Sequence, residues 1–188
     1  MKSMTKRLLA ALLAVAALFA LAGCSKSDKA DAAPKDYTKI LHDARPDEDN
    51  EYYMIFSPGE DGKFTAQYGY SDSYDAAQLD EEIRNMLLPL LNLEEDMYTD
   101  FAASVSGMMV QSYGIAIVKP AEGKQQAVSE ALDAYVQSQM QSMEHYLEDQ
   151  YQIAASSYIS TAPTGEVILV CCENPEAVMN AIKTALAA

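Results

Sequence analysis

Three cysteines, two histidines and 28 acidic side chains are the groups in this 188-residue chain that could do chemistry. Thiols come first, because a thiolate is the nucleophile and the metal ligand that such a chain could present. Cys24 follows Leu21-Ala22-Gly23 at the end of an uncharged apolar run that starts at Leu8, behind Lys2, Lys6 and Arg7. Cys171 and Cys172 are neighbours at the end of the run Glu166-Val167-Ile168-Leu169-Val170. Two adjacent cysteines cannot staple distant segments through one ordinary internal disulfide, and no Cys or His spacing beside them completes a metal set. They are expected as small buried hydrophobes of a strand, with a redox role as the alternative.

The other reactive types form no local motif. His42 precedes Asp43 in an acidic segment, and His145 stands between Glu144 and Tyr146. Nucleophilic catalysis needs a nucleophile, a base and an orienting group brought together. Ser156 and Ser157 could be combined with His145, but nothing in their spacing joins them, so no catalytic residue is assigned. A phosphate-cradling glycine loop and an HExxH pair are both missing from the sequence. Asp43, Asp47, Glu48, Asp49 and Glu51 could offer oxygen ligands to calcium, yet they lack the order of a dedicated calcium loop. A solvated acidic loop is expected there, with no metal and no cofactor. Twelve tyrosines and no tryptophan complete the picture. Tyr52, Tyr53, Tyr68, Tyr70 and Tyr74 are grouped and form a candidate binding patch, able to anchor a protein or stack on sugar rings. Closing the edge of a small core is the alternative use of the same rings.

A basic start, a short apolar run and small residues at its end describe a secretion signal. The stretch from Leu8 to Ala22 falls short of the ~20 apolar residues that span a bilayer. Leu21-Ala22-Gly23-Cys24 resembles the lipobox of bacterial lipoproteins. That resemblance implies alkylation of the Cys24 thiol by a diacylglycerol, cleavage between Gly23 and Cys24 and, in many bacteria, acylation of the new amine. Two or more acyl chains anchor stably where one binds only marginally. The expected organisation is a signal peptide over 1–23, a flexible lipid-anchored tether over 24–36 and a single domain over 37–188. The tether's Ser, Lys, Asp, Ala and Pro bury too little apolar surface to order. The expected location is the outer side of the cell membrane, held through lipidated Cys24. Mass spectrometry of the mature N-terminus checks this, and an unlipidated Cys24 contradicts it.

Loss of Lys2, Lys6 and Arg7 with the leader takes the formal charge from −15 to −18. Such acidity opposes nucleic acid and anionic lipid surfaces as partners.

Positioning elements follow from periodicity. Residues 36–50 suggest one short helical turn (Tyr37, Ile40, Leu41) and then the acidic loop. Tyr52–Phe56 and Lys63–Tyr68 flank a Pro/Gly/Asp turn, which predicts a hairpin. Asp75 and Gln78 fit a capping box for a helix carrying Leu79, Ile83, Met86 or Leu87, and Leu90, with an end or kink before Pro89. Asn92 and Glu95 suggest a second cap, for a short helix. Strands are expected at Phe101–Val105 and Met108–Val118, the latter with Tyr113, Ile115 and Ile117 on one face and Ala116 and Val118 on the other. Glu122–Glu148 predicts the longest helix, ~38 Å, with a stripe running from Val128 through Tyr135 and Met143 to Tyr146 and Leu147. Gln152–Ser160 and Glu166–Cys172 predict two more strands. Asn174 should cap a last helix buried through Val178, Ile182 and Ala185. The sum is an α+β fold, a small mostly antiparallel sheet packed against two or three helices, one of them long, with the helices on one face.

Residues from about 83 to 186 resemble an uncharacterised family of lipoproteins from Firmicutes, domain of unknown function 4358. The features are the acidic segment Asn92–Phe101, the strand Tyr113-Gly114-Ile115-Ala116-Ile117-Val118-Lys119, and the long helix with Tyr135, Gln139 and Tyr146. The segment Tyr151–Tyr158 and the run Gly165-Glu166-Val167-Ile168-Leu169-Val170 complete them. Leu147-Glu148-Asp149-Gln150 lacks the proline expected beside the tyrosine, and the Tyr-rich part 51–74 has no counterpart. The resemblance implies architecture and no reaction. A non-enzymatic, lipid-anchored envelope domain that binds a protein or glycan, or assists an assembly, is the leading expectation. An envelope hydrolase using carboxylates paired only in three dimensions, or a solute-capture lipoprotein, are the alternatives.

Overall fold

Alternation fixes the centre of the molecule. In strand β4 (Gly114–Pro120), Ile115 and Ile117 point into one apolar cluster while Ala116 and Val118 point into another, and all four are fully buried. A strand sealed on both faces needs a layer above and a layer below. The computed structural model describes residues 35–188, so the leader, Cys24 and the tether up to Pro34 lie outside the described residues.

The elements are helices α1 (Tyr37–Ala44) and α2 (Asp47–Tyr52), strands β1 (Ile55–Pro58) and β2 (Phe64–Gln67), and helix α3 over 76–90. Strand β3 (Tyr98–Val105) and β4 follow, then helices α4 (Gln125–Met143) and α5 (Glu148–Ala155), strands β5 (Tyr158–Thr161) and β6 (Val167–Cys171), and helix α6 (Pro175–Ala187). The sheet has six strands in the order β2-β1-β3-β4-β6-β5, every neighbouring pair antiparallel. β4 is central, pairing Ala116 with Ala103 of β3 and with Leu169 of β6. The α+β class with one long helix is therefore the observed architecture.

The helices do not share one face. Leu79 and Ile83 of α3, Leu132 and Tyr135 of α4, and Ala154 of α5 cover one side; Leu41 of α1 and Ile182 of α6 cover the other. The long helix α4 and the last helix α6, expected on the same face, lie on opposite faces. The physical reason is the sheet's sequence, since β4 over Gly114–Val118 and β6 are apolar at both sets of alternate positions and β3 is buried on both from Phe101 onward.

Several boundaries depart from the sequence expectation. The acidic stretch after Arg45 is a helix, α2, with Asp47, Glu48 and Asp49 in its first turn, where the dipole favours negative charge. Asp36 caps α1 by accepting from the Lys39 amide at 2.9 Å, so the short turn becomes a full helix. The Asp75–Gln78 capping box is present. α3 survives Pro89 through a wide π turn at Ile83–Leu87, in which the Leu88 N–H bonds to the Ile83 carbonyl. Asn92 starts no helix: its φ of 54° places it just past the end of α3, a position Asn tolerates. Met108–Val110 are loop rather than strand, because the Ser106 N–H bonds to the Tyr113 carbonyl at 2.9 Å and closes the hairpin there.

α4 has 19 residues and is ~28 Å long, shorter than the ~38 Å expected from the sequence. The chain turns after Met143, so Tyr146 leaves the stripe and is exposed. Residues expected as strand from Gln152 begin instead as α5, with Glu148 and Asp149 in its first turn and Gln152 donating to Glu148 at 2.7 Å. Asn174 does precede α6, but in a left-handed conformation with no side-chain cap, and Leu186 is buried in place of Ala185.

Candidate functional site

One end of the sheet is not sealed. Where β3 ends, β4 begins and β6 runs out into Glu173, the layers diverge around a cleft of about 1200 Å³. Its walls come from the α1–α2 junction and Tyr70, from α3 (Glu82, Met86), from the β3–β4 loop, from α5 (Gln150, Ile153) and from the start of α6.

Arg45 forms the base of the α1–α2 wall. It sits between Ala44 and Pro46, and the proline holds it extended, at φ −103° and ψ 162°. It is 5% exposed. Its Nε donates to Asn50 Oδ1 at 2.6 Å, Nη1 to Ser104 Oγ at 2.7 Å and to the Tyr113 hydroxyl at 3.2 Å, and Nη2 to the Tyr53 carbonyl at 2.6 Å. Ser104 in turn donates to the Met54 carbonyl at 2.8 Å. The guanidinium fork thus ties the end of α1 to α2, to the α2–β1 link, to β3 and to the residue before β4, a geometry that suits Arg and not Lys. The Tyr53 and Tyr113 rings stack beside it at 3.9 Å and 12°.

Asp49 shares this wall. Burial raises its carboxyl above the usual range; the Tyr113 hydroxyl and the Arg45 charge pull it back down, and Glu48 and Glu173 push it up again. Burial also pushes the Cys172 thiol up to about 12, with Asp49 adding to the effect. Cys171 and Cys172 are both buried and free, on opposite faces, which is the packing role expected of them. A thiol held protonated in this way is a poor nucleophile.

A further wall is the β3–β4 loop. Met108 takes a bond from its own N–H to Ser106 Oγ at 3.2 Å, and Gln111 N–H reaches the Met108 carbonyl at 3.2 Å. The tip stays in solvent all the same: Met109 is 87% exposed, and Met108 and Val110 are half exposed or more. Ser112 behind it is 2% exposed, and its hydroxyl is the buried side-chain polar atom that has no partner among the described residues.

The five tyrosines singled out from the sequence divide. Tyr52, Tyr53 and Tyr70 line the cleft. Tyr68 lies instead against His42, at 4.2 Å between ring centroids, and packs on the α1–α6 side of the sheet. Tyr74 packs against the other cluster and touches the cleft only through Tyr70, 6.4 Å away. Ser156 and Ser157 donate to the Ile153 carbonyl at 3.0 and 3.4 Å, and no hydrogen bond joins either to His145 among the described residues. Among those residues no three His, Cys, Asp or Glu side chains converge as a metal set, and no helix is long and apolar enough to cross a membrane.

Arg45, the Met108-Met109-Val110 tip and Glu173 were missed in the sequence. Arg45 did leave a signal, as a single cation before a proline inside Asp43–Glu51. The tip left none, since three apolar residues before a strand look like its first residues.

The sequence pattern described as "Domain of unknown function (DUF4358)" matches residues 71–173. The match starts earlier and stops sooner than the 83–186 expected, so it takes in Tyr74 and leaves out α6. No curated protein and no solved structure matches the chain. With more than half of its length matched, the chain belongs to the DUF4358 family.

Proposed function

We propose that this protein is a lipid-anchored, extracytoplasmic binding domain whose ligand occupies the cleft at the end of the sheet, and that it acts without catalysis. The observation that carries this reading is the make-up of the cleft. It is about 1200 Å³ and is walled by exposed Tyr52, Tyr70, Met86 and Met108, while Arg45 at its base is spent on structural hydrogen bonds. Exposed apolar side chains around a concavity are the usual marks of a recognition surface. The lipobox-like Leu21-Ala22-Gly23-Cys24 supports placement outside the membrane, with the tether letting the cleft reach a partner.

A photo-crosslinking amino acid at position 70, in the native envelope, tests the binding claim. Discrete adducts from position 70 and none from position 126, on the exposed side of α4, are the expected result. Equal labelling from both positions overturns it. Mass spectrometry of the mature N-terminus tests the anchor separately.

Asp49 favours a second reading. A carboxyl raised by burial, beside Glu48 and Glu173, is a group that could act as a general acid on an envelope glycan. Release of reducing ends from purified envelope glycan, abolished by Asp49→Asn, would establish this reading; no release would remove it.

A further inference from the structure

We infer that the occupant of the cleft is a positively charged protein segment that also presents apolar side chains; this rests on the cleft being the binding site.

Charge is the first argument. Glu48, Asp49, Glu82 and Glu173 line the cleft, from α2, from α3 and from the β6–α6 link. Arg45 offsets one of these charges, since its bonds to Asn50, Ser104, Tyr113 and the Tyr53 carbonyl are all to neutral groups, and four carboxylates against one guanidinium leave the lining net negative. None of the four carboxylates forms an ion pair among the described residues. Ion pairs among the described residues involve only Asp43 with Lys39 and His42, Asp80 and Glu95 with Arg84, and Asp96 with Lys124, so the acids of the cleft are set apart by their convergence rather than by being unpaired. The cleft therefore collects a net negative charge from three elements between apolar walls, which focus its field. Phosphates, nucleic acids and acidic glycans are repelled, whereas Lys and Arg side chains are drawn in.

Apolar content is the second argument. Met86 and Met108 are each more than half exposed on the cleft walls, and Met109 and Val110 extend the same surface into solvent. Methionine is flexible and polarizable, so it moulds to apolar side chains of varied shape. Methionines among carboxylates suit a segment that is basic along one side and apolar along another. The tyrosine faces of Tyr52 and Tyr70 give ammonium or guanidinium groups a further attraction.

Size and hydrogen bonding agree. A volume of about 1200 Å³ exceeds the ~300–1000 Å³ of ordinary small-molecule pockets and fits a run of several residues. Ser112, whose buried hydroxyl has no partner among the described residues, belongs to the same wall, and a small shift of the β3–β4 loop would bring that hydroxyl to an entering peptide N–H or carbonyl.

Calorimetric titration of the domain with three short synthetic peptides tests this: leucine–lysine, leucine–glutamate and glycine–lysine. The leucine–lysine peptide should bind, the leucine–glutamate peptide should not, and the glycine–lysine peptide should bind more weakly than the first. Binding should weaken roughly tenfold in the triple variant Glu48→Gln/Glu82→Gln/Glu173→Gln. It should hardly change in Glu130→Gln/Asp133→Asn/Glu144→Gln, which removes the same charge from exposed positions on and just beyond α4. Met86→Ser/Met108→Ser should weaken leucine–lysine binding and leave glycine–lysine binding unchanged. Thermal melts of each variant confirm that it is folded. Equal weakening in both triple variants reduces the effect to net charge and overturns the proposal, as does equal binding of the leucine–glutamate peptide. If no peptide binds while position 70 still crosslinks in the envelope, this proposal falls and the cleft reading stands.

Discussion

Glu166 and Asp49 are both carboxylates set against the sheet, and their surroundings move them in opposite directions. Burial pushes the Glu166 carboxyl up, but Thr164, the residue's own backbone N–H and the Tyr37 hydroxyl at 2.9 Å outweigh it, and its pKa falls. Asp49, in the cleft wall, has the Tyr113 hydroxyl and Arg45 nearby, yet burial wins and its pKa rises. Glu166 is a satisfied structural tie between α1 and the β5–β6 turn. Asp49 carries a desolvation cost that its neighbours do not offset. The same contrast holds for whole regions. The sheet, four of whose six strands lie within the family match at 71–173, is closed by apolar side chains on both faces, whereas the cleft takes one wall from residues 44–70, ahead of that match. Buried apolar packing is concentrated in the first region, and exposed tyrosines, methionines and carboxylates in the second.

Substitutions sharpen or break this division, taken from the largest expected effect downward. Phe101→Ala should cost about 4 kcal/mol: Phe101 is wholly buried and packs against the rings of Phe56, Phe64 and Tyr98. Arg45→Met should cost about 3 kcal/mol, because it strands buried acceptors on Asn50, Ser104 and Tyr53. Arg45→Lys should recover only part of that, since one ammonium cannot reproduce the fork. Urea unfolding measures all three, and an Arg45→Met variant as stable as wild type would break the claim that Arg45 is structural.

Tyr37→Phe should cost about 2 kcal/mol at neutral pH, the range for a hydrogen bond to a charged acceptor. Glu166 has a lowered folded pKa, so its stabilisation is present above the unfolded carboxylate value and is lost as pH falls through the folded one. The gap between wild type and Tyr37→Phe should therefore close in acid. Asp49→Asn should do the reverse. Its raised folded pKa makes ionisation costly to the fold, so the variant should be more stable than wild type at neutral pH. That advantage should fade as pH drops through the folded pKa and vanish below the unfolded one. Thermal melts across pH check both; an Asp49→Asn variant less stable at neutral pH would mean that the Arg45 attraction outweighs burial after all.

Much of the sheet was legible because its signal is local. The alternation at Tyr113–Val118, the run Val167–Cys171, the Asp75–Gln78 cap and the hairpin near Ser57–Gly62 each follow from neighbours in sequence. What misled were residues with two physical uses. Asn can begin a helix or sit left-handed after one, and Asn92 does the second. Gln152–Ala155 has strand-like branched and small residues, but Glu148 and Asp149 upstream start a helix that runs through it. The cleft was only half legible. Grouping tyrosines by sequence found Tyr52, Tyr53 and Tyr70, yet Tyr68, one strand-end away, turns to His42. Arg45 meets Ser104 and Tyr113 across 59 and 68 residues, and no local pattern encodes contacts of that span.

The most direct measurement is amide hydrogen exchange on the domain, alone and with the partner recovered through the position-70 crosslink. Slower exchange in residues 44–53 and 106–113, with edge strand β2 and the outer side of α4 unchanged, is the predicted result. Protection confined to β2 or α4, with both cleft walls exchanging as before, would contradict the assignment of recognition to the cleft.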